Sequence, residues 1–227
     1  TWEAVEHEGP GIYDEDYLDY LEAVVGKARD HGLSLFLDPH QDVWSRWTGG
    51  DGAPMWTLEA AGFEPSRLFA SGAAILNQEM GKAYPRMVWF SNYDRLACAT
   101  MWTLFFAGDT YAPGIGPVGF DGGTSMQQFL QGHYIKAMAE VAKRLAKYPN
   151  VVGMDSLNEP SVGYSGWPDV HHRGSGTSLG ITPTPWEAML AGEGLPQDVE
   201  IIGIKGLRRG KVGMARLGAE GVRAWKD

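Results

Sequence analysis

The sequence predicts an α/β protein whose strands run parallel. Two amphipathic helical stretches each lead straight into a near-continuous apolar strand, and a long connection rich in Gly, Pro and aromatic residues lies between the two units. Strands covered on both faces by helices need continuous apolar runs, which is the signature of a parallel sheet.

In chain order, "TWEAVE" reads as the last residues of a preceding strand. Asp14 or Asp16 caps a helix that places Leu18, Leu21, Val25 and Ala28 on one face, and Gly32 after His31 is its stop signal. The strand "LSLFL" follows at 33–37. The connection 44–123 is predicted to hold one helix near 92–106, and a largely structureless connection of that length implies a functional role. Thr124 or Ser125 opens the second long helix, with Leu130, Tyr134, Ala137, Val141 and Leu145 on one stripe, and "KYPN" closes it. The strand "VVGMDSL" comes next at 151–157. Residues 168–227 read as a long loop region and an interrupted continuation of the same catalytic domain, which would span 1–227.

The 227 residues carry a net charge of −9, which argues against a nucleic-acid surface because phosphate binding needs clustered Lys and Arg. The charge is uneven. Residues 201–227 hold seven Lys or Arg against two acids, and their glycines point to a solvated loop. "GIKGLRRGKVG" lacks the spacing of a phosphate-binding loop. The single cysteine, Cys98, excludes an internal disulfide and lies in a helix-like segment that reads as buried. No apolar run has the length needed to cross a bilayer and no signal peptide opens the chain, so a soluble protein is expected, cytoplasmic or membrane-associated. "TWEAVEHEGPG" reads as the middle of something longer, which leaves secretion open.

In parallel α/β barrels the loops at the carboxyl ends of the strands build the active site. After the first strand stand Asp38, His40 and Asp42; after the second stand Asn158, Glu159 and Pro160. A Glu at a strand end, preceded by an amide and followed by a rigid Pro, suits a general acid, because the fixed backbone aims the carboxyl. Three letters alone also fit a helix-capping Asn beside a surface Glu. His40 and Asp42 at i, i+2 fit two metal ligands, but a metal would need further ligands from elsewhere in the chain. His171 and His172 read as loop histidines, and Trp102 and Phe106, one helical turn apart, read as packing.

"LNEP" after a strand, together with "DPHQDVWSRWTGGDGAP", resembles glycoside hydrolase family 5, a retaining (β/α)8-barrel family. Within it the likeness is to the endoglycoceramidase branch and its fungal glucosylceramidase and steryl-glucosidase relatives. "WEAVEHEGPGIYDEDYLDYL", "CATMWTLFFAGDTYAP" and "QFLQGHYIKAMAEVAKRL" share it, so the resemblance covers most of residues 2–167. It implies that Glu159 is the acid/base, that Asn158 contacts the sugar 2-hydroxyl, and that His40 and Asp42 bind sugar after the third barrel strand, with no metal and no cofactor. Trp44, Trp47 and Trp56 become candidates for stacking on a sugar or lining an apolar aglycone channel. The implied substrate is a β-glucoside of a glycolipid, glucosylceramide, oligoglycosylceramide or steryl glucoside, with membrane contact through that lipid and no obligate protein partner. The alternatives are an endo-glucanase or mannanase of the same family, and a non-catalytic carbohydrate- or lipid-binding remnant of the barrel.

Retaining hydrolysis needs a second carboxylate about 5 Å from the first. The resemblance implies that this nucleophile lies at the end of the seventh strand, well beyond Glu159. After residue 167 the only glutamates are Glu187, Glu193, Glu200 and Glu220, none of them behind a convincing barrel strand. The chain therefore reads as a partial (β/α)8 barrel, about the second to the fourth strand units with long loops.

Overall fold

The computed structural model describes residues 1–84, 88–120, 123–173, 179–205 and 208–227. Helices α1 (Trp2–Glu6) and α2 (Glu15–Asp30) lead to strand β1 (Leu35–Leu37). The short helices α3 (Met55–Ala60) and α4 (Asn77–Met80) follow, then α5 (Leu96–Tyr111), α6 (Met126–Leu145) and strand β2 (Val151–Met154). Strand β3 (Gly180–Thr182), helix α7 (Pro185–Gly192) and strands β4 (Gln197–Lys205) and β5 (Arg208–Leu217) complete the chain.

The two helix-then-strand units form as their caps and stripes dictate. The Asp14 side chain accepts from Tyr17 N at 2.8 Å, and the Ser125 hydroxyl accepts from Gln128 N at 3.2 Å, each satisfying an otherwise unpaired first-turn donor. Leu18 and Val25 of α2 and Leu130, Tyr134, Ala137, Val141 and Leu145 of α6 are buried in one aromatic-rich core. Strands β1 and β2 pair in parallel, Leu35 opposite Val151 and Leu37 opposite Met154. Leu35, Leu37 and Val151 pack under the helices, whereas Phe36 and Val152, pointing the other way, are 63% and 67% exposed. One face of this pair is covered and the other is open.

Three expectations are corrected. "TWEAVE" is not the end of a strand but helix α1: Thr1 caps it, its hydroxyl accepting from Ala4 N at 3.3 Å, and Trp2, Val5 and Glu6 fall on one buried side. Residues 201–227 are not a solvated loop. The alternating apolar residues of β4 pair along their length with β5 in an antiparallel hairpin, whose basic side chains meet acids, Arg216 with Asp198 and Lys211 with Glu200. Residues 168–227 accordingly hold a helix and a three-stranded sheet, ordered β3-β4-β5, where a long loop was expected. The helix expected near 92–106 runs over 96–111, since a 3-10 turn occupies Trp89–Asp94 ahead of it. Cys98 is fully buried, and Trp102 is buried in the core, stacked on Phe106.

Candidate active site

Because β1 and β2 lie side by side and parallel, the residues after each emerge at the same end of the sheet. Asp155 N donates to Leu37 O at 2.8 Å and Asn158 N to Pro39 O at 3.3 Å, which carries the pairing past the strands and into the two loops. Asn158 Nδ2 then donates to Asp38 Oδ2 at 3.1 Å. Glu159 comes next and is exposed, with φ of +36°. An L-residue rarely adopts that backbone, which costs about 1–3 kcal/mol and persists only where the surroundings impose it.

The surroundings here are Gln41. Its side chain is 3% exposed, and its Nε2 donates to the carbonyls of both Asn158 and Glu159 at 2.9 Å. Its Oε1 accepts from Trp44 N at 3.2 Å, while Nε2 also approaches Tyr93 Oη at 3.4 Å. One amide thus joins the loop after β1 to the strained turn after β2. We expect Gln41→Leu, in the complete gene product, to misplace the Glu159 carboxyl and to lower kcat for a β-glucoside on the order of 10²-fold, with KM little changed. Steady-state kinetics would test this, and a purely structural role would instead lower the melting temperature with kcat intact.

His40 and Asp42 lie together as expected. His40 Nε2 stands 3.3 Å from Asp42 Oδ2 and 3.8 Å from Asp51 Oδ2. The two acids come together because Asp42 and Asp51 form an antiparallel bridge, each N–H donating to the other's carbonyl at 3.0 Å. Burial pushes the Asp42 carboxyl above the usual carboxylate range; the His40 imidazole opposes the shift, while Asp51 and Glu159 add to it by like charge. His40, Asp42 and Asp51 bring one ligand atom each within 4.8 Å of one another, but both acids already face a single imidazole nitrogen.

The bridge needs Gly50. A Cβ built there would lie 2.1 Å from Asp42 O and 2.7 Å from Val43 Cγ2. Gly50→Ala is therefore expected to prise the bridge open, costing about 3 kcal/mol through overpacking and lost hydrogen bonds. Thermal melting checks it against Gly132→Ala, in α6, where a Cβ meets nothing within 4 Å. Equal melting temperatures for the two variants would show that the loop yields freely.

A small concavity of about 20 Å³ lies against this loop, walled by His40, Gln41, Trp2, Trp44, Trp102 and Tyr134. The three tryptophans expected to face a sugar occupy different places. Trp44 is 2% exposed, its indole N–H bonded to Thr57 Oγ1 at 3.1 Å and its ring edge-on to Trp102 at 5.1 Å; it is core that forms one wall of the concavity. Trp56 is buried too, donating to Glu6 O at 2.8 Å, and is not among the wall residues. Trp56 has Trp2 and Phe129 as edge-to-face neighbours and a bonded indole N–H, so stacking on a ligand is corrected to packing for Trp56. Trp47 is half-buried, with the Arg46 guanidinium 5.1 Å over its ring. His171 and His172 are loop residues, tilted against Trp186 and bonded to Asp169 respectively.

The sequence reading did not single out Gln41, Asp51 or Tyr93. Gln41 stood between two chosen residues, but its bonds cross more than a hundred residues, and only Asp51's place in the same quoted string hinted at a role.

The model for cellulase, glycosyl hydrolase family 5, matches residues 1–178. The chain belongs to this family. Within family 5 it is 43% identical over 218 residues to the ergosteryl-β-glucosidase of Saccharomyces cerevisiae, covering 86% of this chain and 28% of that protein. It is 38% identical to a glucosylceramidase of Aspergillus fumigatus, covering 99% of this chain and 30% of the relative. The crystal structure of Cryptococcus neoformans sterylglucosidase 1 superposes with a TM-score of 0.91 at 42% identity, over 99% of this chain and 33% of that one. The parallel strands β1 and β2 are thus part of a family 5 barrel, and the chain spans about a third or less of the length of these relatives.

Proposed function

We propose that the protein to which these residues belong is a retaining β-glucosidase acting on glycolipids whose aglycone is apolar, ceramide or sterol. The observation that carries this reading is the Glu159 carboxyl on a left-handed turn held by Gln41, beside Asn158 and the His40–Asp42 pair. Glu159 protonates the departing glycosidic oxygen, then removes a proton from the water that releases the sugar. Asn158, fixed by Asp38, presents its amide to the sugar, and His40, Asp42 and Asp51 offer donors and acceptors to its hydroxyl groups. The family relationship and the names of the relatives support a glucoside as substrate.

The nucleophile lies outside residues 1–227. Glu187 closes the cap of α7 by accepting from Thr184 N at 2.7 Å, Glu193 pairs with Arg223, and Glu200 pairs with Arg173 and Lys211, so three of the four late glutamates serve the three-stranded sheet and its helix. The test is glucose release by the complete gene product from glucosylceramide, from a steryl β-glucoside and from a β-linked glucan. Release from the glucan alone would overturn the lipid reading in favour of a polysaccharide enzyme.

A further inference from the structure

We propose that a second, larger concavity, between residues 69–80 with Val88, the start of α5 and the β3-β4-β5 sheet, receives the apolar aglycone. The proposal rests on the glucosidase reading for what is joined to that aglycone, though not for the binding itself. The concavity has a volume of about 360 Å³, and Phe69, Ile75, Met80, Val88, Ile201 and Leu217 form its apolar wall. Ligand sites are concave and mostly apolar, a few hundred to about 1,000 Å³ in volume, with a small number of placed polar groups. The opening beside His40 holds only about 20 Å³.

Two features mark a built cavity rather than loose packing. Arg95, only 2% exposed, lines it and joins two of its walls: Nη1 donates to Gly72 O at 3.3 Å and Nη2 to Ile181 O. Its Nε has no partner among the described residues, although desolvation brings its pKa down only to about 10, leaving a cation at neutral pH. A buried guanidinium is costly unless it is hydrogen-bonded, so its bonds to Gly72 and Ile181 hold the two walls against it. Secondly, Gly72, with φ of +76°, lets the Leu217 side chain lie across the backbone; a Cβ there would meet Leu217 Cδ1 at 2.4 Å.

The cavity also adjoins the polar loop. Ile75, a wall residue, exchanges hydrogen bonds with Asn92, N to Oδ1 at 2.7 Å and Nδ2 to O at 3.0 Å. Both groups press on Gly49, where a Cβ would lie 2.2 Å from Asn92 Nδ2 and 2.6 Å from Ile75 O. Gly49 belongs to the same loop as Asp42 and Asp51. An aglycone leaving the sugar end therefore has apolar wall immediately behind that loop, while Trp44 and Trp56, two of the tryptophans expected to line such a channel, are in the core.

The experiment uses the complete gene product and two probes, the fluorescent sterol dehydroergosterol and a fluorescent short-chain glucosylceramide, with binding read by fluorescence at equilibrium. Wild type and Glu159→Gln are expected to bind at least one probe. Ile201→Trp and Met80→Trp, which fill the cavity from β4 and from α4, are expected to weaken that binding about tenfold and to lower the ratio of kcat/KM for the lipid glucoside to that for an aryl β-glucoside by a similar factor. No binding by wild type, as when another part of the protein fills the cavity, would overturn the proposal. So would unchanged binding in both variants, or parallel loss on both substrates. Binding that behaves as stated in a protein that hydrolyses no glucoside would leave the subsite standing and remove the catalytic reading instead.

Discussion

Replacing Glu159 by Gln in the complete gene product is expected to lower kcat/KM for glucosylceramide or a steryl glucoside by about 10²–10⁴-fold, the usual contribution of a positioned acid. The amide keeps the shape of the side chain and the Gln41 contacts, which reach the backbone carbonyls of residues 158 and 159 and not the carboxyl. Only the proton is lost. An aryl glucoside whose leaving group departs as a stable phenolate needs no such proton, so its glycosylation step should be largely spared and the intermediate should accumulate as a burst. Azide, which needs no general base, should then restore turnover. Equal loss on both substrate types, with no burst and no azide rescue, would show that Glu159 is not the acid/base.

Residues 1–227 expressed alone should hydrolyse no glycoside, although they carry Glu159 and the His40–Asp42 pair. One carboxyl leaves the reaction without a glycosyl-enzyme intermediate. The fold argues the same way, because β1 and β2 form a two-stranded sheet that leaves Phe36 and Val152 more than half exposed. Apolar strand faces and unpaired edges in that state invite association. Assay of the purified segment beside the complete gene product decides the matter. Turnover by the segment that disappeared on changing Glu187, Glu193, Glu200 or Glu220 would place the nucleophile within these residues after all.

The parts of the fold that were readable in the sequence are those carried by local, repeated signals. The caps at Asp14 and Ser125, the stripes of α2 and α6, and the apolar runs of β1 and β2 each state their role within a few residues. Helix α1 was misread because five residues cannot display a period: Trp2, Ala4 and Glu6 alternate like a strand, while Trp2, Val5 and Glu6 share a helix side. The β4-β5 hairpin was hidden by its glycines, of which Gly203 sits where a Cβ would meet Val212 at 2.8 Å. The tryptophans were ambiguous for a different reason. An indole suits a sugar and a core equally, and only the positions of Trp2, Trp102 and Phe129 decide for Trp44 and Trp56. Gln41 could not be read at all, since its significance lies in two carbonyls that folding alone brings near.

The left-handed backbone of residue 159 bears on how this position can drift over generations. Glycine would relieve the strain there, and asparagine would tolerate it better than most, so selection for folding by itself favours either one. A glutamate held at φ of +36°, with a neighbouring glutamine committed to keeping the turn shut, occupies a position where stability and inheritance pull apart. Lineages that lost the chemistry would be expected to lose this side chain early and to grow slightly more stable as they did.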